Sequence, residues 1–218
     1  MRSVVLPALL SLCLSGCGMM SYSLTGSLAN SGQPSSKPAR TQTGEAATDP
    51  RTKVAAAAVG PTASDKAPKG TYERAPRGAL AERDYSHTRL DAERARDLVN
   101  AYRKEKGLRP LKLQPALTEA ARAHSRDLAK WDRISHFGSD GSNPWDRVKR
   151  AGYNARLAAE NVGTGQVTLD EVMKGWQASP GHNKNLLLPD AEHMGIALVQ
   201  DPKTEFKTFW TLVVASPQ

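Results

Sequence analysis

Apolar positions between Leu90 and Tyr102 recur at three- and four-residue intervals: Leu90, Ala92, Ala95, Leu98, Val99 and Tyr102. That spacing lines one face of a helix, and Asp91, Glu93 and Gly107 stand where its start and stop are expected. A second helix is predicted from Pro115, with Leu117, Ala121, His124, Leu128 and Trp131 on one side and an end near Asp132. Asn143-Pro144 reads as a cap followed by Pro at the first helical position, opening a short helix through Trp145 and Val148 that closes at Gly152. A fourth helix, capped by Thr168, presents Leu169, Val172, Met173 and Trp176, and Pro180-Gly181 is expected to stop it. The pattern then changes. Segments 193–199 and 206–215 are rich in Val, Ile, Leu, Phe and Thr and read as strands joined by a turn at Asp201-Pro202-Lys203-Thr204, with a third strand around Glu160 to Gly163. Helices first and a strand pair last predict an α+β fold, a small antiparallel sheet covered by helices.

Upstream there is no such period. All four Trp and all three Phe lie after residue 130, whereas six of the 14 prolines fall between Gly18 and Ser86. That stretch is too poor in apolar residues to offset its ordering entropy. It reads as a disordered tether over residues 17–86, spanning roughly 40 to 50 Å root-mean-square. The folded domain is assigned to residues 87–218.

The chain opens with Arg2 and an 11-residue apolar run, Val4 to Leu14, broken by Pro7 and Ser11. A bilayer crossing needs about 20 apolar residues, so the run suits an export signal instead. It ends in Leu14-Ser15-Gly16-Cys17, which resembles the bacterial lipoprotein signal box. The resemblance implies removal of residues 1–16, a diacylglycerol on the Cys17 thiol and an acyl group on the new amine. Each buried methylene contributes about 0.8 kcal/mol, so several chains hold the protein firmly to a membrane. Gly18 instead of Asp after Cys17 implies the outer membrane in Gram-negative sorting. The alternative is that Cys13 and Cys17 are incidental in a signal cleaved elsewhere. Cysteine arithmetic favours the lipid, since no other Cys exists and an internal disulfide is then impossible.

Thirty Lys and Arg against 22 Asp and Glu give a net charge of +8. The excess is diffuse, with no run of basic residues longer than two, so a nucleic-acid partner is set aside. The domain also lacks His-Glu-x-x-His, Gly-x-Ser-x-Gly, a phosphate-cradling glycine loop and a Cys nucleophile. Polar residues stand out at element edges instead: Ser135-His136-Phe137, Ala159-Glu160-Asn161-Val162, and Trp176 through His182. Two imidazoles and a carboxylate from three loops can converge on one cleft.

In order, the chain carries Leu98-Val-Asn-Ala-Tyr-Arg, Ala120-Ala-Arg-Ala-His-Ser, Ser135-His136, Asp140-Gly141, Asp146-Arg147, Ala151-Gly152-Tyr153, Glu160-Asn161, Trp176, Ser179-Pro-Gly-His182, Asn185, Gly195 and Trp210. This ordered set resembles the CAP superfamily (cysteine-rich secretory proteins, antigen 5 and pathogenesis-related 1), in particular its compact bacterial branch. The resemblance implies an α-β-α sandwich with a surface cleft lined by two His and two acidic residues, which hold a divalent metal in some members. His136 and His182 match the two histidines and Glu160 one acidic position. Ser179 stands where many eukaryotic members carry Glu, and their cysteines are absent. Asn161 and Ser179 complete the set of cleft candidates.

His136, His182 and Glu160 offer three N/O ligands with an open position, a set that suits Zn²⁺ or another divalent ion, although no cofactor is required. The alternative is a hydrogen-bonded network that fixes three loops and does nothing else. His124 is expected as a satisfied core imidazole, His87 and His193 as solvated, and the four Trp as core. Three functional readings stand. The favoured one is a monomeric, extracytoplasmic, lipid-anchored domain whose cleft binds an unknown envelope ligand: lipid, glycan, peptide or partner protein. The second is a metal-assisted hydrolase built on His136, Glu160 and His182, and the third an inert structural part of the envelope.

Overall fold

The computed structural model describes residues 65–218, so the leader, Cys17 and the tether up to residue 64 lie outside the described residues. Helix α1 (Ala92–Glu105) starts at Asp91, whose carboxylate accepts from the amides of Glu93 and Arg94, and gives way to Gly107 at φ +72°. Helix α2 (Pro115–Trp131) has Pro in its first turn, where a missing N–H has no partner to lose, and ends at Asp132 in the left-handed region. Helix α3 (Pro144–Arg150) is opened by a reciprocal capping box between Asn143 and Asp146. Helix α4 (Leu169–Ala178) is capped by the Thr168 hydroxyl, which accepts from the amide of Glu171.

Pro180-Gly181 follows the end of α4, but the expectation of a plain stop is incomplete. Pro180 opens a further helix, α5 (Pro180–Leu186), because the ring that cannot continue one helix has the φ that starts the next.

Six strands follow the chain as β1 (Tyr72–Glu73), β2 (Lys112–Leu113), β3 (Ile134–Ser135), β4 (Ala155–Thr164), β5 (His193–Gln200) and β6 (Thr208–Pro217). The main sheet has the order β2-β5-β6-β4, with β2 parallel to β5 and the other pairs antiparallel, while β1 and β3 form a separate antiparallel pair. Alternation along β6 sends Trp210, Leu212 and Val214 into one core with Val99, Val172 and Leu186 from α1, α4 and α5. Val213 and Ala215 face the other way, onto Leu117 and Ala121 of α2 and Val148 of α3. Each fully buried Leu or Ile of these cores contributes roughly 1.5–3 kcal/mol. The result is the α-β-α sandwich that the resemblance implied. Its tightest joint is at Gly195, where a Cβ would lie 2.1 Å from the amide nitrogen of Thr118, so α2 seats directly on the sheet backbone.

Residues 65–86, assigned to the tether from sequence, lie against the domain instead. Tyr72 and Glu73 pair with Ser135 and Ile134, the Ser135 hydroxyl donates to the carbonyl of Thr71 (2.8 Å), and Asp65 pairs with the fully buried Arg133. Further along, Arg83 grips both oxygens of Glu171 at 2.7 Å, and the Tyr85 hydroxyl donates to the carbonyl of Gly165 (3.0 Å). The segment has too few apolar residues for a core of its own but uses the domain's surface as its partner. Two Trp also depart from expectation: Trp176 and Trp210 are core, whereas Trp131 is half-buried and Trp145 is 42 % exposed.

Candidate functional site

β4 is an edge strand of the main sheet, and consecutive residues on it point to opposite faces. Glu160 pairs across with Val213, and therefore shares the α2 and α3 side, whereas Asn161 pairs with Leu212 and faces α5. The Glu-Asn dipeptide thus serves two layers at once.

On the first side Glu160 is 4 % exposed and both of its oxygens are engaged. Oε2 accepts from Arg147 Nη2 at 2.7 Å, and Oε1 accepts from His136 Nδ1 at 3.0 Å with His124 Nε2 3.5 Å away. A carboxylate can only accept, so His136 carries a proton on Nδ1. Burial pushes the Glu160 pKa up, but the Arg147 guanidinium, together with His124 and His136, outweighs it and holds the group well below the usual carboxylate range. Arg147 is fixed in turn by the carbonyls of Ser142 (2.8 Å) and His136 (3.0 Å). His124 is fully buried, and burial drives its pKa down to about 4, against the pull of the Glu160 charge. It is a neutral imidazole whose Nε2–H donates to the carbonyl of Ser135 (2.8 Å), as the core reading expected.

On the second side the Asn161 side chain donates to the carbonyl of His182 (3.0 Å), and Asn185 donates to the Glu160 carbonyl and to Asn161 Oδ1, each at 3.0 Å. These amides tie α5 to the edge of β4. The His182 ring shares a 3.0 Å hydrogen bond between Nδ1 and Ser179 Oγ. Its pKa falls to about 4, through desolvation first and through repulsion from His136 second. His182 lies on the wall of a groove of about 520 Å³, with Ile134, Val162, Val172, Trp176 and Pro180.

The sequence-predicted residues are therefore brought together only in part. His136 meets Glu160, Asn161 meets the backbone of His182, and Ser179 meets the His182 ring. His182 itself is turned to Ser179 and the groove. Sequence reasoning did not assign Arg147 a role, although it is the principal countercharge of Glu160; its only signal was its place in the Asp146-Arg147 motif on a capped helix. His193, expected to be solvated, is half-buried and hydrogen-bonded through Nδ1 to the Tyr153 hydroxyl (2.7 Å), away from the cleft on β5.

The trio expected to hold a divalent ion does not fit one. Arg147 and His136 occupy both Glu160 oxygens, so the carboxylate is not available as a ligand, and among the described residues no group of three His, Cys, Asp or Glu is arranged to hold a metal; His136 and His182 engage Glu160 and Ser179 through Nδ1, which leaves Nε2 as the remaining ligand nitrogen of each ring. The Ser179–His182 contact sets a hydroxyl against an imidazole. An imidazole titrating at about 4 is a weak base at neutral pH, and no carboxylate lies within ion-pair distance behind it among the described residues. What the arrangement offers is a neutral, half-buried imidazole on a largely apolar groove, backed by a closed ionic cluster.

Comparison with known proteins gives these features a family. Uncharacterized protein YkwD of Bacillus subtilis is 38% identical over 104 residues, which is 48% of this chain and 40% of that protein. Uncharacterized membrane protein YlbC of the same organism is 30% identical over 102 residues, 47% of this chain and 30% of its own length. The chain thus spans less than half the length of these curated relatives. Among solved structures, an outer surface protein of Borrelia burgdorferi matches with a TM-score of 0.53 at 19% identity, over 59% of this chain and 97% of its own. An extracellular protein containing an SCP domain from Bacillus anthracis matches with a TM-score of 0.51 at 25% identity, over 57% of this chain and 39% of its own. The first of these likenesses shows the fold alone. The profile of the cysteine-rich secretory protein family (CAP) matches residues 96–214, more than half of the 218 residues, and the chain belongs to that family.

Proposed function

We propose that this protein is exported, lipid-anchored through Cys17, and displays a cleft around His136 and His182 that binds an envelope or extracellular component without catalysing a reaction on it. The observation that carries the reading is the state of Glu160. Its carboxylate is buried, ionised and bonded on both oxygens, so it serves the scaffold and is not free to move a proton or hold an ion. With Ser179 in place of a second carboxylate, the open side of the site keeps recognition elements only.

The groove's walls are apolar apart from His182, Ser179, Thr164 and Gln166, and His182 is neutral at physiological pH. A ligand with an apolar body and a hydrogen-bonding head suits such walls better than a highly charged one. The export run and the Leu14-Ser15-Gly16-Cys17 box support an extracytoplasmic address, and the similar SCP-domain protein described as extracellular agrees with it. No helix among the described residues is long and apolar enough to cross a membrane.

The test is a thermal-shift titration of the full chain with fractionated envelope extract, alongside the His136→Ala and His182→Ala variants. A saturable rise in melting temperature that both substitutions abolish is expected. No shift with any fraction, or a shift that both variants retain, refutes the cleft as the binding site. Metal analysis of the purified protein separates the hydrolase reading: a stoichiometric ion lost in His182→Ala would revive it.

A further inference from the structure

Residues 65–86 form a strap on the domain surface, upstream of the family match that begins at residue 96. No strap residue lines the groove at His182, yet the strap's contacts fall on the segments that carry the groove and the cleft. At its first end, the backbone of Tyr72 and Glu73 pairs with Ser135 and Ile134, and Ile134 is a groove wall. The Ser135 hydroxyl donates to the carbonyl of Thr71 and accepts from the amide of Phe137 (3.0 Å), so the strap is tied to both neighbours of His136. At its second end, the Tyr85 hydroxyl donates to the carbonyl of Gly165, between wall residues Thr164 and Gln166. Leu80 packs there too, since a Cβ on Gly165 would lie 2.6 Å from its Cδ1. Arg83 holds Glu171, whose Oε2 also accepts from the amide of Val167 (2.9 Å), next to wall residues Gln166 and Val172.

The strap is held more loosely than the segments it touches. None of the three buried cores includes a strap residue, β1 is two residues long, and Arg83–Glu171 joins side chains that are each 37 % exposed, a pair of little worth in water. A segment with few buried apolar contacts and exposed hydrogen bonds opens at a lower free energy than the core beneath it. Opening stops at Thr88, which is buried and whose carbonyl accepts from Gln200 Nε2 (2.9 Å). The wall segments keep anchors of their own: the Gln166 carbonyl accepts from the Thr208 hydroxyl and Trp210 Nε1, and Ile134 packs with Val162 and Phe209. Release of the strap therefore loosens the walls without unfolding them.

We propose that the strap is a latch on the binding site: docked, it holds Ile134, the stretch around His136 and the 164–166 turn in the shape the groove needs, and its release loosens all three together. The inference rests on the cleft reading for what the site does and adds how it is controlled. A ligand that needs the tight walls binds the docked state better, so it stabilises strap docking by the same factor by which docking raises its affinity. The chain from Cys17 enters the strap at Asp65, so a load on the anchored side acts on the groove.

Amide hydrogen exchange of the full chain tests the latch in the double variant Arg83→Ala/Tyr85→Phe, which removes bonds at the second end and alters neither a core residue nor a groove wall. A cooperative strap is expected to exchange about fivefold faster at its other end, at Tyr72 and Glu73, and at Ile134 to Phe137. Nile red, uncharged like the groove walls, probes the site. Its dissociation constant is expected to rise about threefold in the double variant, and saturating Nile red to slow strap exchange in the unsubstituted chain by the same factor. His182→Ala is expected to abolish Nile red binding and leave strap exchange of the free chain unchanged. Binding that survives His182→Ala refutes the cleft reading, while cooperative exchange still supports the latch. Faster exchange confined to residues 83–86 and 165–167, or an unchanged Nile red dissociation constant in the double variant, overturns the latch.

Discussion

The two sides of β4 hold the same kinds of group and use them differently. Toward α2 and α3, Glu160, Arg147 and His124 are each at most 5 % exposed, and every oxygen of the carboxylate has a donor. Toward α5, His182 and Ser179 stand on an open groove with amide contacts behind them. Coulomb attraction is strong where water is excluded and weak where it is not, so the closed side binds the layers together while the open side leaves its polar groups facing the groove. Two ion pairs of nearly equal length make the same point. Arg147–Glu160 at 2.7 Å is buried, whereas Arg94–Asp170 at 2.6 Å joins side chains 57 % and 59 % exposed.

The sharpest way to break this contrast is Arg147→Ala. It strands a buried charge on Glu160 and is expected to cost about 3–5 kcal/mol in urea unfolding. A loss below about 1 kcal/mol would show that the carboxylate is not held as a buried anion.

Acid comes next. His124 titrates near 4 in the folded protein against 6.5 in the unfolded chain, so below pH 6.5 the unfolded state takes up a proton that the folded state refuses. Stability is therefore expected to fall by about 2 kcal/mol between pH 7 and pH 5. His182 acts in the same direction, weakened by solvent screening. The depressed Glu160 adds its own loss only below the ordinary carboxylate range, as pH falls toward its folded value. Denaturant midpoints measured across that range check the slope, and a flat profile would contradict a buried neutral His124.

Asp65→Ala removes the ionic partner of Arg133 but leaves the Tyr72 ring 4.9 Å from the guanidinium and Asp127 at 3.9 Å. A loss of about 1–2 kcal/mol is expected, with faster amide exchange at β1 and β3. Arg94→Ala at the exposed pair should change stability by less than about 0.5 kcal/mol, measured by the same unfolding curves. If it matched Arg147→Ala, burial would not be what separates the two sides.

Much of this architecture was legible from periodicity. The caps at Asp91, Asn143 and Thr168, the Pro at the start of α2 and the β5–β6 turn are local signals, written in a few adjacent residues, and the structure places each as read. Helix α5 was harder, because Pro-Gly is both a terminator and an opener and only the packing of Leu186 decides between them. The docked segment 65–86 was not legible at all, since its partners Ile134, Ser135, Glu171 and Gly165 are distant in the chain. The site followed the same rule. Residue types at positions 136, 160 and 182 pointed to one neighbourhood. The competition for Glu160 depends on Arg147, which reaches it only after α3 folds back beside β4, and no spacing encodes that.

Ser179 closes α4 and opens α5 as the single extended residue between them, at φ −93° and ψ 118°. A joint one residue long has no slack with which to absorb a length change. Inserting one alanine there would add about 3.3 Å of extended chain ahead of α5, carrying the imidazole at position 182 off the groove wall while leaving its chemistry untouched. Variation in chain length at this joint would thus move the whole wall segment at once, a change that substitution of single wall residues does not produce.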